Sequence, residues 1–447
     1  MALQFDIRRC NLRYLCMITS RMKKSLLRIV ALFLLLPTFA FAAEEQASIP
    51  NTSFASCSRM EIWDISMGMC MPLAMEGMPM KMLMLHGNAF AVGITESGSR
   101  ARSAFAAPNM FMADIGTSLG ANHYLNLDFM GTVERWTFPY QGYPELLQIG
   151  EANREGISFL DAQHPHSSPV MGLTFSDTIR FSQNAKDNIK VFFAPRGEST
   201  DGPIAFMHRQ TGMVNPDAPL GHHVGQDVGH ISSTVLGASL AIANTRIELS
   251  AFNGVEPEPD AVNLTLGKPN SAGFRVIQEF SPELTVMASA AFIKNPEPSD
   301  PDISSISRYS TSLYFHRVLS EDWKFHNTLI YGLITKLDHA SSLSSFAEEF
   351  LWEGEHPRIW GRLEVLQRTG SELQIPSSST GNLGKWIGAL TLGYTHAVKK
   401  WESAELGLGG SVTLDRLPAE FLAAYGGQNP ITGKIFIQLS GMQMWDL

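Results

Sequence analysis

Beyond residue 42 the sequence has no second long apolar run, which excludes a bundle of membrane-spanning helices. Cysteine is scarce. Of the 4 in 447 residues, Cys10 and Cys16 fall in the N-terminal segment, which leaves Cys57 and Cys70. In an exported chain such a pair is more often a disulfide than a pair of metal ligands. Positive charge is short as well. Seven of the 34 basic and one of the 43 acidic residues lie in residues 1–42, so the remainder carries 27 against 42, a balance of −15. This argues against nucleic acid or anionic lipid as the main partner. There is no nucleophile elbow, phosphate loop or zincin motif. The local Ser/His candidate is His166-Ser167-Ser168, and neighbours on a strand face opposite ways, so the reading is non-enzymatic.

The N-terminus supplies an address. Lys23, Lys24 and Arg28 precede the apolar run "IVALFLLLPTFAFA", and Ala40-Phe41-Ala42 has the small-x-small form of a secretory cleavage site. The run is too short, and too closely followed by "AEEQAS", to span a bilayer. Residues 1–42 are therefore read as an upstream extension, with Met22 the better initiator, followed by a signal peptide.

The rest of the chain is punctuated by alternating segments of about ten residues, the signature of a transmembrane β-barrel. In "SAELGLGGSVTL", Leu406, Leu408, Val412 and Leu414 oppose Glu405, Gly407, Ser411 and Thr413. In "PRIWGRLEVL", Ile359, Leu363 and Val365 oppose Arg358, Trp360, Arg362 and Glu364. Soluble sandwiches alternate too, so the connections must discriminate. Tight turns are expected near Gly120, Ala185, Asn244, Pro282, Glu321, Glu355 and Lys400. Between them lie longer links near 95–108, 135–166, 197–226, 255–271, 295–305, 336–342, 369–383 and 415–430. Short periplasmic turns alternating with long extracellular loops predict an all-β fold, an antiparallel up-and-down transmembrane barrel of about sixteen strands, with fourteen as the neighbouring possibility.

The expected organisation is a disordered, Met-rich periplasmic arm over 43–79, a barrel over 80–441 and a C-terminal tail over 442–447. Aromatic residues in "ERWTFPYQGYP" (Trp136, Phe138, Tyr140, Tyr143), with Trp323, Trp352 and Trp401, suit interfacial girdles.

The strings "MLMLHGNAF", "DAQHPHSSP", "GPIAFMHRQTGMVNPDAPLGHHVGQDVGHISSTVLGASL" and "AAYGGQNPITGKIFIQL" resemble a poorly characterised family of Gram-negative outer-membrane barrels with a Met/His-rich N-terminal segment, similar to copper-resistance-associated outer-membrane proteins. The resemblance spans residues 78 to 440. It implies an outer-membrane location and copper handling, with outer-membrane lipid and periplasmic metal-handling proteins as the partners.

Two sets of residues could carry such chemistry. The stretch Met67 to Gly87 holds eight of the 21 methionines. Thioether sulfur is a soft donor that suits Cu(I) and Ag(I). Met67, Met69, Met71, Met75 and Met78 lie among Gly and Pro with no core to pack, and they are the candidate Cu(I) ligands. Met80, Met82 and Met84 are read instead as the lipid face of the first strand, methionine being an adaptable apolar filler. The second set is His164, His166, His208, His222, His223 and His230, in two long links with Asp161, Asp217 and Asp227 close by. These could assemble a Cu(II), Zn or Ni site, or brace a constriction. The competing function is a diffusion porin, with Arg246, Glu248, Arg308, Arg358, Arg362, Glu364 and Glu405 lining the lumen.

Overall fold

Period-two alternation over long stretches, broken by Asn-, Gly- and Pro-containing turns, yields strands and little else. The computed structural model describes residues 61–64, 69–72 and 81–447 except 154, 156, 185, 228, 230, 265, 297–302, 337–340 and 377–382. A short hairpin comes first, β1 (Glu61–Asp64) paired with β2 (Met69–Pro72) in the register Trp63 to Cys70. The wall follows: β3 (Lys81–Glu96), β4 (Ser103–Ala106), β5 (Asn109–Leu119), β6 (His123–Gly131), β9 (Val170–Arg180), β10 (Asn188–Gly197), β11 (Ser232–Ile242) and β12 (Thr245–Asn253). It continues through β13 (Ser271–Ser281), β14 (Leu284–Lys294), β15 (Ser305–Val318), β16 (Lys324–Lys336), β17 (Ser341–Glu353), β18 (Pro357–Arg368), β19 (Lys385–Lys400), β20 (Ala404–Arg416) and β21 (Ile431–Asp446). Between β6 and β9 sits a separate hairpin, β7 (Tyr143–Ala152) with β8 (Ser158–Gln163).

Each wall strand pairs antiparallel with its neighbours, and β21 pairs with β3 to close the barrel. Strands β4 and β5 both pair with β3 and share one position in the wall, so the closed barrel has sixteen strands, as the rhythm of turns predicts. Pro108, with no N–H to give a ladder, sits at the break between them. The short turns fall at 120–122, 181–187, 243–244, 282–283, 319–323, 354–356 and 401–403, and both strands of the seam place their chain-terminal ends beside these turns.

The outward positions are apolar and open: Leu236, Leu240, Ile247, Leu249, Leu408, Val412, Ile435 and Leu439 are all exposed. Such a belt is costly in water and favourable in hydrocarbon, so this is a membrane-spanning barrel. Inward positions instead carry Glu248, Arg308, Glu349, Arg362, Glu364 and Lys434, all buried.

Three expectations need correction. The closing strand does not stop at 441: the ladder runs through Met442–His86 and Met444–Met84 to Asp446–Met82, so 442–446 are wall rather than tail. Tyr143 is no girdle residue. It is wholly buried, its hydroxyl donates to Asp217 at 2.7 Å, and the Lys434 ammonium sits 4.8 Å from its ring centre. Met82 and Met84, each 1 % exposed, do not face lipid. They share strand parity with Asn88, whose amide reaches into the lumen to donate to the Met213 carbonyl at 2.8 Å. Leu85, of opposite parity, is the exposed one.

Candidate functional site

The lumen is occupied. The link from β10 to β11, residues 198–231, folds inward as a plug and fastens to the wall along its length. At its start the Thr200 amide donates to Ser250 Oγ on β12 at 2.9 Å, and the Gly202 amide to Ser289 on β14 at 3.0 Å. Asp201 receives Arg308 of β15 at 2.6 Å, and Ile204 N–H donates to the Tyr314 hydroxyl at 3.1 Å. In the middle, Arg209 forms a bidentate pair with Glu349 of β17 at 2.8 and 3.0 Å. Glu349 also accepts from Thr211 at 2.8 Å and from Arg362 of β18 at 3.1 Å. Toward its end Asp217 pairs with Lys434 of β21, and Ser345 donates to the Val224 carbonyl at 2.6 Å. Gly332 of β16 faces that same carbonyl, and any Cβ there would collide with it. Gly225, at φ +82°, turns the plug away from the wall in a conformation that suits glycine.

The β7–β8 hairpin lies over the plug. Gln148 donates to the Pro219 carbonyl at 3.1 Å, and Leu146 and Leu147 join Leu220, Leu366, Phe421 and Tyr425 in an apolar cluster. Asp161 accepts from Arg100 at 3.1 Å and from Tyr425 at 2.7 Å, which ties three long links together at that end.

Here the structure brings four of the six predicted histidines together. His164 and His166 follow β8, while His222 and His223 sit in a one-turn helix of the plug, His222–Val224. Ring centres are 5.4 Å apart for His164 and His166, 6.2 Å for His164 and His222, 6.1 Å for His164 and His223, and 4.6 Å for His222 and His223. Carboxylates back three of them. His166 Nδ1 lies 2.9 Å from Glu134, His222 Nδ1 3.1 Å from Asp227, and His223 Nδ1 3.9 Å from Glu256. Burial first, then the neighbouring imidazoles, hold His164 and His223 well below the ordinary imidazole value of 6.5, so both are neutral at physiological pH. A cavity of about 70 Å³ adjoins the group, lined also by Arg196, Asp201, Asp227 and Arg308. Burial raises the Asp201 carboxyl above its usual range, and Arg308 opposes that shift. Among the described residues no three His, Cys, Asp or Glu side chains stand in metal-holding geometry as they are.

The other candidates lie apart. His208 lines a second cavity near the turn end, with His86, Met207, Met213 and Met442. His230, Met67, Met75, Met78 and Cys57 lie outside the described residues. Met69, Met71 and Cys70 belong to β2, of which only the backbone is described. What sequence reasoning missed is the methionine lining of the lumen. Met110, Met130, Met171 and Met207 pack in one cluster with Met112 against it. The missed signal was parity, since polar residues such as Asn88 and Gln438 mark which face of a strand is luminal.

Fold and site together define a closed sixteen-strand membrane-spanning barrel with a bolted plug and a buried histidine group. In solved structures the chain is similar to OmpF of Salmonella typhi, in complex with daunomycin, at 9 % identity and TM-score 0.50, covering 81 % of this chain and 97 % of that one. It is similar also to OprB of Pseudomonas putida, at 8 % identity and TM-score 0.50, covering 81 % and 94 %. At such identity the likeness shows the fold alone. No family model matches the sequence, and no curated protein matches it.

Proposed function

We propose that this protein is an outer-membrane barrel that binds copper and kindred metal ions and lets them pass only when its plug shifts. The observation that supports it is the meeting of four imidazoles from two links some sixty residues apart, three of them backed by carboxylates. Neutral imidazole is the ligand form for Cu(II), Zn and Ni, and a carboxylate on the second ring nitrogen fixes the tautomer and raises basicity. The rings must close up around an ion, since they do not stand in ligand geometry now. Periplasmic metal carriers would exchange ions at the turn end, where the first wall strand begins at Lys81.

A second reading is a diffusion channel for polar solutes. The charged wall favours it, notably Arg358 between Glu353 and Glu405 and Arg275 between Glu198 and Glu248. Against it stands the plug, whose central Arg209–Glu349 pair is fully buried.

Metal analysis of the protein purified from copper-supplemented cells, beside its conductance in a planar bilayer, separates the two. Metal at or above one equivalent with low basal conductance is expected. A metal-empty protein with a large, constantly open conductance would leave the diffusion channel.

A further inference from the structure

We infer that the turn-end cavity of the lumen is a site for a soft monovalent metal ion, Cu(I) or Ag(I), built from methionine thioethers and the His86 imidazole. This deepens the metal-handling reading above and rests on it, but it uses none of the residues on which that reading was built.

The first ground is register. Met442 of β21 pairs with His86 of β3, His86 with Met112 of β5, and Met112 with Met130 of β6. Directly paired residues of an antiparallel sheet point to the same face, with Cβ atoms roughly 4.5–5.5 Å apart. Four adjoining strands therefore present sulfur, imidazole, sulfur and sulfur in one row. Its face is the luminal one, because Asn88, of the same parity as His86, reaches the plug. One rung nearer the chain ends, Met444 pairs with Met84 and Met84 with Asp114, which adds two more thioethers and a carboxylate.

The plug supplies the opposite wall. Met207 and Met213 line, with His86 and Met442, a cavity of about 340 Å³ that opens toward the β19–β20 turn, where Glu402 and Glu405 stand at the rim. Lys400 shares that rim, and Glu405 is paired there with Arg358 and Lys400. The row and the plug thus place at least three sulfurs and one imidazole around one space.

Packing alone would explain methionines that fill a closed core. It does not explain a methionine-lined space left open, nor the state of His86. The Nδ1 atom of His86 is shielded from water and has no hydrogen-bond partner among the described residues. A buried imidazole nitrogen without a partner is destabilising, and a turn of the ring toward the cavity it lines would give that nitrogen to a soft metal ion. Thioethers need lose no proton to bind, so the site selects Cu(I) and Ag(I) over Zn, which prefers thiolate, imidazole and carboxylate.

The test uses the mature protein folded in detergent, with Ag(I) as probe and metal counted after desalting. The parent is compared with a variant carrying His86→Gln, Met207→Leu, Met213→Leu and Met442→Leu, and with an arm variant carrying Met67→Leu, Met69→Leu, Met71→Leu, Met75→Leu and Met78→Leu. The luminal variant is expected to lose one equivalent of Ag(I) that the arm variant keeps, and sulfur-edge absorption of the silver-loaded arm variant should report metal–sulfur bonds. Heat-modifiable migration checks that each variant is folded. Should the fourfold variant misfold, His86→Gln and Met442→Leu singly are expected to weaken that equivalent roughly tenfold or more. A folded luminal variant that binds Ag(I) like the parent overturns this site and leaves metal handling to the arm and the histidine links. A parent that binds neither Ag(I) nor Cu(I) overturns both.

Discussion

Arg209 of the plug and Glu349 of β17, 140 residues apart, meet through two hydrogen bonds of 3.0 and 2.8 Å with both side chains shut away from water. Replacing one partner of a buried pair costs about 3–5 kcal/mol, because the other charge is left without compensation. Glu349 keeps Arg362, whereas Arg209 has carbonyls of the plug itself as its other acceptors. Arg209→Met is therefore expected to loosen the plug while sparing the wall. Single-channel recording should show a higher open conductance than the parent, with heat-modifiable migration retained; parental current would mean that the plug is held elsewhere.

Acid should loosen the plug by a separate route. His164 and His223 titrate well below 6.5 while buried, and near 6.5 once exposed. As pH falls through 6.5 the displaced state takes up more protons than the seated one, so seating weakens; above about pH 7.5 neither state changes and the contribution is constant. Glu145 in the covering hairpin, raised well above 4.5 by burial and then by Asp217, acts with the opposite sign, as do Glu198 and Asp201 of the plug, which burial also raises. The difference between the parent and a His164→Gln/His223→Gln variant isolates the imidazole contribution. Opening frequency between pH 7.5 and 5.5 should rise more steeply in the parent, and equal slopes would remove the histidines from the explanation.

Gly332 offers a steric test. A methyl group there collides with the backbone at Val224, which Ser345 also holds. Gly332→Ala is expected to displace this end of the plug and to raise trypsin cleavage after Arg209 in the folded barrel. A cleavage rate like the parent's would show that the wall strand yields instead.

The seam can be shortened. Deleting 442–447 removes the pairs from Met442–His86 to Asp446–Met82 and leaves the first rungs of β3 without that neighbour. An edge strand exposed in hydrocarbon has unsatisfied backbone groups. The heat-modifiable fraction should fall sharply, while a tail without a role in the wall would leave it unchanged.

Strand number, turn positions and the lipid face of β18 and β20 were all legible in the sequence, because alternation and connection length are local properties of the chain. The plug was not. Its fasteners are long-range pairs such as Asp201–Arg308, Asp217–Lys434 and Arg209–Glu349, and no local pattern announces which distant strand a loop arginine will meet. Of the histidines, clustering was readable from "HPH" and "GHH", but that His208 would part from them was not. Met82 and Met84 were misplaced because methionine suits both lipid and lumen, so hydrophobicity alone could not orient the strand; His86 and Asn88 on the same parity could have done so.

The plug is fastened to both sides of the seam, through Asn88 on the first strand of the wall and Lys434 on the last. Those two strands can meet only after the chain between them has been laid down. The contacts to Asn88 and Lys434 therefore bridge that joint from the inside, so the seam is closed across the plug as well as along its own ladder.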